Sequence, residues 1–345
     1  NAVFSIFFAG ISGSSMADVA ANSRILLPAM KKEGYDPASS AALIAAASTI
    51  ANMIPPSIMA VVYGAIGGVS IAALFIGGIA PGVMVGVGLM VYSYFFVAAP
   101  PKPRAPLKEV AKAAGASALP LMVPIIIMGG ILSGFFTPTE AGMVAVVYTV
   151  VFLIPVMARG HLWRLPRDFI NAGVIYTLPL LAIASASAFA WLLARLRAPQ
   201  TVSGWVEAVA GSNPTAIMFM LVLVVVIVGQ FIDAVPAIVI LMPVILAFNE
   251  LGDINPIHMG VVVIVSLAFG LITAPYGLSL LLATSFAGVR FSEGIRKSMP
   301  IYGLFIVIIT ALVLFPDLAL WLPKILTPRA AGCFPAPSGD GFICP

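Results

Sequence analysis

The 345-residue chain is 61% apolar and only 9% charged, with a mean hydropathy of +1.12, far from the soluble average. Its net charge of +4 comes from Lys and Arg gathered in short loops between apolar runs. That is a topology pattern and excludes a nucleic-acid surface. The two cysteines, Cys333 and Cys344, sit in a Pro/Gly-rich tail; they form no metal-ligand cluster and would pair only in an oxidising compartment.

Runs near or above the roughly 20 apolar residues that cross a bilayer occupy 71–99, 116–136, 141–158, 171–194 and 301–322. They lack the two-residue alternation of barrel strands, so the chain is expected to be an all-α polytopic membrane protein. It opens at Asn1, and 3–9 runs directly into a polar knot without a preceding span or targeting segment. This predicts a piece that lacks N-terminal helices. The knot is Gly10-Ile11-Ser12-Gly13-Ser14-Ser15-Met16-Ala17-Asp18. Hydroxyls and a carboxylate at bilayer depth are costly unless they face protein, water or an ion, which makes the knot a candidate functional element.

A short apolar helix is expected at 19–30, then a basic turn, Lys31-Lys32-Glu33-Gly34-Tyr35-Asp36-Pro37. The next span, 38 to about 66, is interrupted by Ile54-Pro55-Pro56-Ser57. Paired prolines remove backbone donors and should unwind the helix, with the freed carbonyls lining a protein-enclosed cavity; a plain proline kink is the alternative. The span 71–99 returns to Lys102, Arg104, Lys108 and Lys112. Two further spans, joined by Thr137-Pro138-Thr139-Glu140, end at Arg159, Arg164 and Arg167. Thr137 and Glu140 have the spacing of a capping box, and both basic loops read as cytoplasmic.

Then 171–194 crosses outward to a mixed segment ending Gly211-Ser212-Asn213-Pro214, although Arg195 and Arg197 run against the charge bias there. A second arm, 215–229, leads to Gln230-Phe231-Ile232-Asp233-Ala234-Val235-Pro236, a second short helix, and a loop at 249–255 without Lys or Arg. The span from Pro256 is broken at Thr273-Ala274-Pro275-Tyr276-Gly277. Arg290, Arg296 and Lys297 mark its cytoplasmic end, and 301–322 crosses back.

The two breaks belong to a repeat. The Asp18-to-Pro28 spacing recurs as Asp233-to-Pro243, and the Pro56-to-Pro81 spacing as Pro275-to-Pro300, with a four-residue insertion between the pairs. The turn after the first arm is basic and its counterpart acidic, and an odd number of crossings separates the copies. Both observations invert the second copy. Inverted repeats with re-entrant helical hairpins and discontinuous helices are the organisation of secondary transporters. This divides the chain into a first repeat (1–99), intervening spans (100–214), a second repeat (215–323) and an unassigned tail (324–345).

The knot, the run Ile25-Leu26-Leu27-Pro28-Ala29-Met30-Lys31-Lys32-Glu33-Gly34-Tyr35, and Ser48-Thr49-Ile50 with Ile54-Pro55-Pro56-Ser57-Ile58 closely resemble the large membrane subunit of tripartite ATP-independent periplasmic (TRAP) transporters. So do Phe136-Thr137-Pro138-Thr139-Glu140-Ala141, Phe231-Ile232-Asp233 and Gly270-Leu271-Ile272-Thr273-Ala274-Pro275-Tyr276-Gly277. The resemblance reaches to about Pro323. It implies a sodium-coupled importer of organic acids of the ion-transporter-superfamily elevator type, in the bacterial inner membrane. Its implied partners are a small membrane subunit and a periplasmic substrate-binding protein. The chain departs from the family's usual pattern at Ala51-Asn52-Met53, Ser266, Ala274 and Arg24.

Sodium prefers hard oxygens, by the logic that governs calcium and magnesium. One candidate site takes Ser14, Ser15, Ser48, Thr49 and the carbonyls near Pro55; its mirror takes Gly270, Thr273, Gly277 and the tip at Asp233. A substrate carboxylate is expected near Ser15, Ser57, Tyr276 and Gly277, with Arg24 either its cationic partner or a snorkelling side chain. Gly13, Asp18 and Asp233 shape the tips, where the two aspartates either serve the ion or cap the helices. The rival readings are another sodium-coupled anion transporter of the same superfamily and an intramembrane aspartyl protease. The protease requires Asp18 and Asp233 to share a proton.

Overall fold

The computed structural model describes residues 2–97, 106–335 and 342–343. Two compact units emerge, one made of Asn1–Ala99 with Ala186–Pro345 and the other of Pro100–Ser185.

The larger unit begins with a hairpin of α1 (Ala2–Ser12) and α2 (Ser15–Lys32). A broken helix follows: α3 (Pro37–Ser48), a 3-10 turn at Thr49–Asn52, an irregular Met53–Ser57, and α4 (Ile58–Gly67). It continues into α5 (Ile71–Phe96). The smaller unit holds α6 (Leu107–Leu132), α7 (Pro138–Tyr148), a π turn, α8 (Ile154–Met157), a 3-10 turn and most of α9 (Leu165–Arg195). The larger unit resumes with α10 (Ala198–Ala210), a second hairpin of α11 (Pro214–Gly229) and α12 (Ala234–Gly252), and a second broken helix, α13 (Pro256–Gly270) and α14 (Leu278–Ala287). It closes with α15 (Phe291–Leu314), α16 (Asp317–Leu326) and a two-residue antiparallel pairing of Phe334–Pro335 with Phe342–Ile343.

Among the described residues six helices are long and apolar enough to cross a membrane. Each break follows from its prolines. Pro55 and Pro56, and later Pro275, have no N–H to offer the preceding turn, and the peptide bonds Pro55–Pro56 and Ala274–Pro275 are both cis. Every residue of α3 from Ala38 and of α13 from Ile257 is buried, as expected of helices surrounded by protein on all sides. Alanine and serine dominate α3, and small side chains permit the close approach that replaces a hydrophobic drive inside lipid.

One constant register relates the two halves of the larger unit. It pairs Ser14 with Asp233, Asp36 with Asn255, Pro56 with Pro275 and Pro81 with Pro300. Asp36 caps α3 by accepting from the Ser39 N–H (3.1 Å), and Asn255 caps α13 by accepting from the Ile257 N–H (3.0 Å). This corrects the expected pairing of Asp18 with Asp233 and removes the insertion that it required. Asp233 occupies the N-cap position of α12, whereas the N-cap of α2 is Ser14 and Asp18 lies one turn inside. Packing follows the same register: α2 lies against α14, and reciprocally α12 lies against α4.

Several boundaries differ from expectation, among them the span expected at 116–136, which runs from Leu107 to Leu132. The last span starts at Phe291 and stops at Leu314, because Phe315 precedes Pro316 and is pushed out of helical geometry; 317–326 then forms the separate α16. The loop expected at 249–255 is helical through Gly252. The mixed segment before Asn213 contains a helix, α10. In the smaller unit, Thr137 and Glu140 do form the expected capping box, and Tyr148 ties α7 to α6 by donating to the Leu119 carbonyl (3.1 Å).

Candidate functional site

Each hairpin tip docks on its own half's break. The Ile58 N–H donates to the Gly13 carbonyl and the Tyr276 N–H to the Gln230 carbonyl, both at 3.2 Å. Gly13 is required twice over. Its φ is +63°, and a Cβ there would stand 2.3 Å from the Pro56 carbonyl oxygen. In the second half the tight spot is Gly270, where a Cβ would lie 2.7 Å from the Gly229 carbonyl.

The halves meet where the first tip reaches the second break. Ser279, in the first turn of α14, places its Oγ 3.5 Å from Ser15 Oγ and 3.9 Å from the Met16 sulfur. The Ser15 N–H donates to Asn52 Oδ1 (3.3 Å), so Asn52 links the tip to the first break. Ser57 donates to the Asn52 carbonyl (2.5 Å) and caps α4 by accepting from the Ala60 N–H (3.3 Å). At the second break, the Leu271 carbonyl released by Pro275 accepts from the Ser279 N–H (3.0 Å). Its neighbour Ile272 accepts from the Tyr302 hydroxyl (2.7 Å). Thr273 donates to the Gly270 carbonyl (3.1 Å), keeping its oxygen lone pairs available. Gly277, with φ +43°, starts α14, and Tyr276 beside it is exposed.

The first hairpin also carries a polar seam. Ser12 donates to Asp18 Oδ1, and Asn22 Nδ2 donates to Ser5 Oγ (3.4 Å). Ser15, Asp18 and Asn22 recur at the spacing of one helix face, and Ser5, Asp18 and Asn22 are fully buried. Five of the buried polar atoms here have no protein partner: Asp18 Oδ2, Asn22 Oδ1, Ser23 Oγ, Ser48 Oγ and Asn52 Nδ2. Ser266 Oγ on α13 is a sixth. Buried polar atoms normally find partners, and oxygens left over beside broken helices form a donor set suited to a hard cation.

Ser14, Ser15, Ser48, Thr49 and Pro55 therefore lie on elements that pack together, as do Gly270, Thr273, Gly277 and the Asp233 tip. Thr49 Oγ1 is already directed at the Ala46 carbonyl (2.7 Å). Arg24 stands apart. It lies well along α2 from the tip, with its guanidinium 5.7 Å from the Phe286 ring centroid. Asp18 Oδ2 has no hydrogen-bond partner, so the shared-proton dyad of a protease is not formed. Sequence reasoning passed over Ser5, Asn22, Ser279 and Tyr302 as parts of the site and noted Asn52 only as a departure. The readable signal was the 15–18–22 polar spacing along the arm.

The family described as the tripartite ATP-independent periplasmic transporter, DctM component, matches residues 1–318. The chain is 35% identical over 325 residues to the C4-dicarboxylate TRAP transporter large permease protein DctM of Pseudomonas aeruginosa, covering 93% of this chain and 76% of that protein. It is 33% identical to the 2,3-diketo-L-gulonate TRAP transporter large permease protein YiaN of Escherichia coli, with 91% and 75% covered. To the sialic acid TRAP transporter large permease protein SiaM of Vibrio cholerae it is 29% identical, with 94% and 77% covered. Paired hairpins docked on paired broken helices, in a chain that matches this family along nearly its whole length, show that it belongs to the DctM component of the tripartite ATP-independent periplasmic transporters: a multi-pass transport permease subunit and not an enzyme.

Proposed function

We propose that this permease subunit imports an organic acid by sodium symport across the bacterial cytoplasmic membrane. A periplasmic binding protein delivers the substrate and a small membrane subunit braces the complex. The two halves are inverted repeats, and the hairpins and broken helices move together as an elevator. The observation that carries this reading is the meeting of the first tip with the second break at Ser15 and Ser279, 3.5 Å apart. A carboxylate held there would face the half-helix starts at Ser57 and Gly277, whose dipoles favour anions.

Sodium travels as a co-substrate. Ser48 Oγ and Asp18 Oδ2, buried and unpartnered, are suited to one ion with Ser14, Ser15, Thr49 and carbonyls near Pro55. Thr273, Gly270, Gly277 and the Asp233 tip are suited to the second. Relatives named for a C4-dicarboxylate, a keto-sugar acid and sialic acid support an organic acid as the class.

The test is uptake into proteoliposomes containing both membrane subunits, with radiolabelled acids presented on the cognate binding protein. Uptake should saturate, and should require both the binding protein and an inward sodium gradient. Undiminished uptake with potassium replacing sodium would sink the coupling.

A further inference from the structure

The larger unit carries two grooves related by the same register as the rest of its halves. One, of about 410 Å3, lies between α2, α3 and α14 and is lined by Ser23, Arg24, Leu27, Lys31, Ser40 and Phe286 among others. The other, of about 360 Å3, lies between α12, α13 and α4, with Leu246 and Pro256 where the first has Leu27 and Pro37, and Gly67 where it has Phe286. Both are of the size that holds a small ligand. Their charge differs: Arg24 and Lys31 line the first, the register places Pro243 and Glu250 at the equivalent positions, and no charged residue lines the second.

Three features make the first groove a built site. The Arg24 guanidinium lies 5.7 Å over the Phe286 ring, a cation–π contact that still leaves N–H donors for an acceptor. None of the ion pairs among the described residues engages Arg24. Ser23 Oγ, from a side chain 2% exposed, lines the same groove without a partner.

The groove also lies on a seam that begins at the candidate site. Helices α2 and α14 touch at Ser15–Ser279 and again at Arg24–Phe286. The nine residue steps from Ser15 to Arg24 span roughly 13 Å of helix. The far end carries Lys31 and Lys32, the end that loop charge assigns to the cytoplasm.

We propose that the Arg24 groove is a carboxylate-binding vestibule on the release side, where an acid leaving the Ser15–Ser279 site is held by Arg24, Lys31 and Ser23. This rests on the organic-acid reading above. The uncharged groove at the other end of the pseudo-symmetric pair holds no carboxylate. A permanent cation at one end only gives the leaving anion a stop that the opposite path lacks.

The experiment places a thiol in each groove, Ala287→Cys in the first and Leu246→Cys in the second, and follows alkylation by a charged maleimide in the purified full complex. The described residues contain no free cysteine to compete. The probes are succinate, sialic acid and, separately, short-chain phosphatidylglycerol. Succinate or sialic acid should slow labelling at position 287 about tenfold, Arg24→Gln should abolish that protection, and Arg24→Lys should keep part of it. Position 246 should be unprotected.

Protection by the phospholipid alone, equal protection in both grooves, or protection that survives Arg24→Gln would each overturn the proposal. So would no protection by either acid. Sodium-driven uptake by the same preparations separates the two readings, since a complex that transports yet shows no Arg24-dependent protection has lost only the vestibule.

Discussion

The arm α2 buries Ser15, Asp18, Asn22 and Ser23, while the corresponding arm α12 buries Ala234, Ala237, Ile238, Leu241 and Met242. The two arms share a backbone plan: a tip docked on a proline break, then a helix packed on the opposite half's second half-helix. Only their buried faces differ. An apolar arm is stable wherever it packs. A polar arm must satisfy each donor and acceptor, and α2 leaves Asp18 Oδ2, Asn22 Oδ1 and Ser23 Oγ without protein partners. The shared plan is the scaffold, and the buried face is where the two arms differ chemically.

The largest effect that would break this comparison is at the tip. Gly13→Ala drives a Cβ into the Pro56 carbonyl, an overpacking clash of about 1–3 kcal/mol at a φ of +63°. Uptake should be abolished and the Tm in detergent lowered as well. Gly34→Ala, at φ +83° but with nothing within 4 Å, should lower the Tm through backbone strain yet leave uptake within about twofold, because it meets no neighbour.

The aspartates separate next. Asp18→Asn should remove sodium-driven uptake. Asp233→Asn, at an N-cap position whose side chain makes no capping hydrogen bond, keeps a carbonyl oxygen at the tip and should retain most of it. Equal losses in sodium-gradient assays would restore the equivalence of the two tips that the register denies.

Ser48→Ala should raise the sodium concentration for half-maximal uptake about tenfold, the equivalent of losing about 1.4 kcal/mol of ion binding. Its Tm should not change, because Ser48 Oγ has no protein partner to lose. Thr273→Ala should weaken sodium dependence and also lower the Tm, because Thr273 is hydrogen-bonded to the Gly270 carbonyl.

The smallest effect lies at the caps of α3 and α13. Burial pushes the Asp36 carboxyl up, but the Ser39 hydrogen bonds and the Lys297 ammonium outweigh it and hold Asp36 below its ordinary value. A carboxylate whose pKa is depressed by folding contributes stability above its unfolded pKa of about 4 and loses it as the pH falls through the folded value. Wild type should therefore be slightly more stable than Asp36→Asn at pH 7, with the difference vanishing below about pH 4. The pair is half exposed, so the shift in Tm should be small. Asn255, the equivalent cap, does not titrate, and Asn255→Ala should lower the Tm equally at both pH values.

Much of this was legible in the residues themselves. Length and hydropathy determined a polytopic helical protein, because the bilayer accepts only helices or closed barrels. Pro55-Pro56 and Pro275 determined where the helices break, because a proline cannot donate to the turn before it. Thr137 and Glu140 determined a cap whose partners lie three residues apart. Local chemistry of that kind needs no tertiary contact to be read.

The register between the halves was decided only by the tertiary structure. Asp18 and Asp233 looked equivalent because each stands at the same spacing before a proline. The helix starts show instead that Ser14 matches Asp233, and spacing along a chain does not say which residue begins a helix. The partners of the first tip were equally hidden. Ser279 is distant in sequence from Ser15, and only the packing of α2 on α14 brings their hydroxyls to 3.5 Å.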